Sequence, residues 1–300
     1  MASAVKGVFD PNDAYTVSLL GTSYSWATVI TAVVVSILVA LVVIGGIKRI
    51  ATVSQFVVPF MAVFYFIACM IILITHIEKL PAAVELIITS AFTGTAAVGG
   101  FVGALMKEAI QAGVARGIFS NESGLGSAPI AAAAAQTKHP ARQGLVSMTG
   151  TFIDTIIICN LTGLSIVLTG AWDQGLKGVE VTNFAFREGF AFAPFVGQVI
   201  LALSLAFFAF TTILGWDYYS ERCLEYLTNG NMKTVKVYRV LYILAVLIGP
   251  FLTVEIVWNI ADVFNGLMAF PNLIALIVLS GVVAKETKGF FKEHPRLKAK

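Results

Sequence analysis

A chain of 300 residues that is 58% hydrophobic and 12% charged stands apart from soluble domains, which average roughly 45–50% and 25%. Water-compatible side chains could not cover that much apolar surface, which excludes an ordinary soluble fold and points to a polytopic membrane protein. The net charge of +3 contains no basic run interleaved with aromatics, which excludes a nucleic-acid surface.

The N-terminus, MASAVKGVFDPNDAY, lacks the charged start, apolar core and cleavage site of a signal peptide. Residues 1–25 read as an extracytoplasmic segment. The first apolar run, Trp26 to Gly46, approaches the roughly 20 residues of a membrane-crossing helix and stops at Lys48-Arg49. Those cations place its end in the cytoplasm. A second span, Ser54 to Thr75, carries Pro59 and returns outward to His76–Pro81.

The third, Ala82 to about Met106, holds Ser90–Gly100 at its middle, rich in glycine, threonine and alanine, and is expected to be a broken helix. A basic cytoplasmic connection, 107–142, follows. It contains Lys107, Arg116, the polar run GVARGIFSNESGLGSAP (113–129), a short helix Ile130–Ala135, and Lys138–Arg142.

The fourth span runs from Gln143 to Thr169, and the residues Gly170–Glu188 read as an outer loop. Span five, Phe190 to Tyr219, ends at Glu221-Arg222 before the Thr228–Asn231 turn. Span six, Val237 to Leu252, closes at Gly249-Pro250. The last apolar region, Glu255 to Ala284, is interrupted by Pro271 and followed by Lys285, Lys288, Lys292, Arg296, Lys298 and Lys300. One kinked crossing keeps this basic tail, 285–300, in the cytoplasm, whereas two half-length helices would deliver it outside. The count is seven spans.

Opened peptide groups at mid-membrane are tolerated only where they line a protein cavity, so the Ser90–Gly100 region could bind a small cation and a substrate carboxylate. Close helix packing through Gly99xxxGly103 is the alternative. Thr211 and Thr212 offer two hydroxyl oxygens to a hard cation, with Trp216 on the same face, while back-bonding to a carbonyl one turn earlier is equally open. Asp154, within span four and followed by Asn160, could be a cation ligand, a proton acceptor or a structural anion, with the last favoured. Glu255, Asn259, Asp262 and Gly266 form one polar stripe that either lines a path or packs.

An enzyme is excluded: Ser123 in Asn121-Glu122-Ser123-Gly124 has no base nearby, since His76, His139 and His294 lie at span ends or in loops. Cys69, Cys159 and Cys223 stand apart without metal-binding spacing, and no cofactor is expected beyond a coupling ion.

The chain resembles the alanine/glycine:cation symporters, secondary transporters with the LeuT-type inverted-repeat helix bundle. The resemblance is carried by Gly45–Ile50, Ser90–Thr93, Gly99–Phe101, the 113–129 run, Phe152–Thr155, Gly215-Trp216, Trp258–Asp262 and Asn265–Ala269. It implies sodium-driven uptake of alanine or glycine across a bacterial or archaeal cell membrane. By position it implies a substrate cavity at Phe92, Thr93, Gly94, Thr95, Thr212 and Trp216, and a sodium site at the Phe208 carbonyl, Thr211 and Thr212. Arg116, Asn121 and Glu122, with Asp154, Asn259 and Asp262, would be gate or structural polar residues.

Family members are about half as long again, so the seven spans are expected to be core helices four to ten. Residues 26–81 would then be the last two helices of the first repeat and 82–284 the complete second. On that expectation the chain is a C-terminal two-thirds fragment. Its partners would be the missing N-terminal helices, sodium, the amino acid and the bilayer, and its transport alone would be low. A membrane subunit or remnant without transport of its own is the alternative.

Overall fold

The computed structural model describes residues 1–19, 21–92 and 99–294. Among them, twelve α-helices dominate, because a chain in lipid must bond its own backbone and helices do so within one segment. In chain order they are α1 (Ala2–Phe9), α2 (Trp26–Val43), α3 (Gly46–Thr75), α4 (Leu80–Phe92), α5 (Gly99–Ser120), α6 (Ala128–Ala132) and α7 (Pro140–Thr151). After a π-helical segment, Phe152–Cys159, come α8 (Asn160–Leu168), α9 (Val179–Gly189), α10 (Pro194–Leu227), α11 (Met232–Ile248) and α12 (Val254–Glu293). Strands β1 (Thr16–Leu19) and β2 (Thr22–Ser25) pair antiparallel, Thr16 against Ser25 and Leu19 against Thr22.

Six helical stretches among the described residues are long and apolar enough to cross a membrane: Trp26–Val43, Gly46–Thr75, Pro140–Leu168, Pro194–Leu227, Met232–Phe251 and Glu255–Glu293. The expected third span and its break include residues 93–98, outside the described residues; α4 and α5 are its flanks. α12 runs through Pro271 as one helix.

Several boundaries differ from the sequence reading. The N-terminal segment contains α1 and the paired strands β1 and β2. Lys48 and Arg49 belong to the first turn of α3, because the chain reverses within Ile44–Gly46, where Gly46 takes φ +68°. The Gly170–Glu188 loop contains most of α9, whose Ala185 and Phe186 are wholly buried. α10 continues to Leu227, past the charged Glu221-Arg222 pair expected to end it, because Glu221 is packed inside the bundle and held by Arg239.

The chain divides into two compact units, residues 1–92 with 160–252, and 93–159 with 253–300. In the first, Val39, Val42 and Val43 of α2, Ile50 of α3 and Leu214 of α10 form a buried core. Tyr65 of α3 anchors an aromatic neighbour of it, stacking on Phe186 at 5.7 Å, meeting Phe208 edge-on at 5.6 Å and sharing a 2.8 Å hydrogen bond with Thr162 of α8. α9 and α10 approach so closely that a Cβ on Gly197 would fall 2.3 Å from the Phe186 carbonyl oxygen, so only glycine fits. In the second unit α12 leaves Ile256, Val263, Leu267, Phe270, Ile277 and Val278 exposed, as a lipid-facing helix would.

Candidate functional site

In the second unit the 113–129 run is the junction of a polar network. α5 ends in it, and Glu122, Gly124 and Gly126 each take positive φ, at 51°, 74° and 84°. Glycine tolerates this backbone. Glu122 does so at a cost while its carboxylate accepts the Ser127 hydroxyl at 2.8 Å. A Cβ on Gly126 would meet Asn272 of α12 at 3.1 Å, and the Asn272 amide donates to the Gly124 carbonyl at 2.9 Å.

The side chains before the turn reach two other elements. Arg116 pairs with Asp262 of α12 at 2.8 Å, and its guanidinium carbon lies 4.0 Å from the centre of the Trp258 ring. Phe119 packs edge-on against the same indole at 5.6 Å. Trp258 and Asp262, one helical turn apart, thus clasp one cation with an aromatic face and a carboxylate. Ser120 donates to Asp154 at 2.6 Å, and Asn121 exchanges hydrogen bonds with Thr155 at 2.8 and 3.0 Å. Asp154 and Thr155 both lie on the π-helical segment, a geometry frequent at functional sites. Asn259 and Glu255 stand exposed.

In the first unit, α10 carries the other expected residues. Thr211 donates to the carbonyls of Phe207 and Phe208 at 3.0 and 3.1 Å and approaches the Met61 sulfur at 3.6 Å. Thr212 donates to Phe208 at 2.8 Å. Back-bonding therefore gathers the two hydroxyl oxygens around one carbonyl oxygen. Thr212 is exposed, and half-buried Trp216, one turn on, meets Tyr219 edge-on at 5.7 Å. No group of three or more His, Cys, Asp or Glu side chains among the described residues could hold a metal, so a sodium ion here would rest on hydroxyl and carbonyl oxygens. Thr93, Gly94 and Thr95 lie outside the described residues, as does the side chain of Phe92.

Sequence reasoning singled out the segments holding Trp258, Ser120 and Thr155 but gave these three no site role, and it missed Asn272 and a buried cluster on α10 and α11. The spacing of Trp258 and Asp262 was the available signal for the first; Asn272 follows Pro271 and carried none. In the cluster, Arg239 holds Glu221 through both guanidinium nitrogens that face it, the Nη2–Oε2 contact at 2.9 Å. Asp217, one turn before Glu221, is wholly buried.

A family model described as the sodium:alanine symporter family matches residues 2–300. That near-complete match lends no support to the expectation of a C-terminal two-thirds fragment with missing N-terminal helices as partners. An "Uncharacterized transporter" of Haemophilus influenzae is 54% identical over 95% of this chain and 62% of its own length. The "Sodium/alanine symporter AgcS" of Methanococcus maripaludis is 49% identical over 87% of this chain and 56% of its own length. The "Probable sodium/glutamine symporter GlnT" of Bacillus subtilis is 37% identical over 84% and 51%. The chain therefore spans between about half and two thirds of these relatives.

Proposed function

Because the chain belongs to the sodium:alanine symporter family, a family of membrane transporters and not enzymes, we propose that it carries out sodium-coupled symport of a small neutral amino acid, alanine or glycine, in a multi-pass LeuT-type bundle. The observation that carries this reading is the oxygen cluster on α10. The Thr211 and Thr212 hydroxyls converge on the Phe208 carbonyl at 3.1 and 2.8 Å, and Trp216 supplies an aromatic wall one turn further. Hydroxyl and carbonyl oxygens suit a hard monovalent cation. Rotating both hydroxyl protons away from Phe208 would turn the same three oxygens from a closed hydrogen-bonded set into ligands.

The network around Arg116 supports an inner-gate role for residues 113–129. Its ion pair, Arg116 with Asp262, joins two half-exposed side chains and is worth at most about 1 kcal/mol, so it can separate and re-form as access alternates.

The test is uptake of labelled L-alanine, D-alanine, glycine and glutamine into proteoliposomes holding the purified chain, with and without a sodium gradient. Sodium-driven uptake of alanine or glycine is expected, with Thr211→Ala and Thr212→Ala raising the sodium concentration for half-maximal rate and Trp216→Ala raising the amino-acid KM. Binding of these amino acids that is indifferent to sodium would overturn the coupling. Uptake confined to glutamine would overturn the substrate assignment.

A further inference from the structure

The α10 face that starts in the apolar core ends in charge. Leu214, Asp217 and Glu221, spaced three and four apart, lie along one side of the helix and are each at most 2% exposed. Glu221 is taken by Arg239 of α11. Both carboxylate oxygens of Asp217 are buried and have no hydrogen-bond donor among the described residues.

Among the described residues no cation reaches Asp217 within hydrogen-bond distance: Lys233 and Lys236 of α11 are exposed, Arg222 of α10 pairs with Glu225, and the Met1 amino end of α1 lies by Ile213 and Tyr242. α11 contributes Arg239, already engaged by Glu221, together with Tyr238 and Tyr242; the Tyr242 hydroxyl is spent on the Ile213 carbonyl at 2.8 Å. α2 has no ionisable side chain. On α3, Arg49 is turned to the Leu41 carbonyl at 2.7 Å and Lys48 is exposed. On α1, Lys6 is paired with Asp13 at 2.8 Å. Two buried carboxyl groups therefore face one guanidinium. An ionised, unpaired carboxylate is among the most costly groups to bury, and such a group neutralises instead. A sodium ion would neutralise the charge only with several further oxygen ligands around it, and Asp217 has Leu214 of the apolar core on its own face. A proton needs no ligands.

We propose that Asp217 is a proton-binding site inside the transmembrane bundle, neutral in the packed state and releasing its proton only when α10 parts from α2 and α11. This site is separate from the Thr211–Thr212 oxygen cluster, and it stands whether or not that cluster binds sodium.

Infrared spectroscopy of the purified chain in lipid vesicles at neutral pH tests it directly. A protonated-carboxyl carbonyl band is expected, shifted by labelling with ¹³C-carboxyl aspartate in the unmodified chain and lost in Asp217→Asn. The isotope measurement needs no substitution and shows whether any aspartate is protonated, and a second variant, Asp217→Glu, which keeps the carboxyl but takes no aspartate label, assigns the band to this position where Asp217→Asn fails to fold. Absence of an aspartic-acid band would overturn the proposal, as would a band that survives intact in a folded Asp217→Asn. A band present without sodium and abolished by adding it would assign the site to sodium instead. Transport activity enters none of these readouts, so failure of the symport reading leaves the result interpretable.

Discussion

The network around residues 113–129 and the cluster in the C-terminal half of α10 treat charge in opposite ways. In the first, Arg116 meets Asp262, Ser120 meets Asp154 and Ser127 meets Glu122, one donor to one acceptor, with the ion pair about half exposed. In the second, Asp217 and Glu221 are sealed against a single guanidinium. Half-exposed pairs are cheap to break and cheap to remake, whereas a buried pair is held by the penalty of separating it. The contrast divides the chain into a connection suited to movement and a charged core suited to staying closed until a proton moves.

The largest effect that would break this comparison is expected at Arg239. Arg239→Met strips the one cation from two buried acids and should cost about 3–5 kcal/mol, read as a large fall in the thermal unfolding midpoint of the detergent-purified protein. Adding Glu221→Met should recover most of it, since an apolar pair of similar volume can replace a buried ion pair. A loss below about 1 kcal/mol for the single variant would show that the cluster is as loosely held as a surface pair.

Gly126→Ala comes next. It places a Cβ 3.1 Å from Asn272 at a backbone φ of +84°, which should cost roughly 1–2 kcal/mol from the left-handed conformation alone. Hydrogen–deuterium exchange should locate the damage in 113–129 and around Asn272, leaving α2, α3 and α10 protected. Arg116→Gln should be milder, about 1 kcal/mol or less on stability, because it removes a half-exposed ion pair and one cation–π contact. Its expected signature is kinetic: the sodium-driven uptake rate changes while the unfolding midpoint barely moves.

These residues differ in how visible they were in the sequence. The membrane-spanning helices were legible because lipid demands long apolar runs, and the 113–129 run stood out because polar glycine-rich sequence is rare among them. Its partners were less so. Asp262 was visible as part of a stripe spaced four and three apart, but the role of Trp258 depends on where the Arg116 guanidinium lands. α9 was read as loop because its mixed sequence, VEVTNFAFREG, has no span-length apolar run; tertiary burial of Phe186 gives it a place. Asp217 was passed over beside the conspicuous Gly215-Trp216, since a single acid near the end of a span looks like the water interface. Only the packing of α10, α11 and α2 reveals that it is sealed.

Asp10 sharpens the comparison from the other side, and its effect is the smallest. Like Asp217 it is a nearly buried acid, 5% exposed, but it lies outside the spans and has donors: the Ser25 hydroxyl at 2.5 Å and the Ala14 amide at 2.7 Å. Ser25 in turn accepts the Ala27 amide and caps α2. The Ser25 hydrogen bond, foremost, holds the Asp10 carboxyl below its ordinary value; the Ala14 and Tyr15 amides and Lys6 add to this, while burial opposes it. Because the folded value is depressed, the stabilisation is fully present above the ordinary carboxylate range and is lost as pH falls through the lowered value. Asp10→Asn should therefore lower the unfolding midpoint at neutral pH, and the difference from the parent chain should shrink and vanish in strong acid. A constant difference at all pH values would mean that Asp10 acts by packing alone, and that hydrogen-bond donors are not what separates it from Asp217.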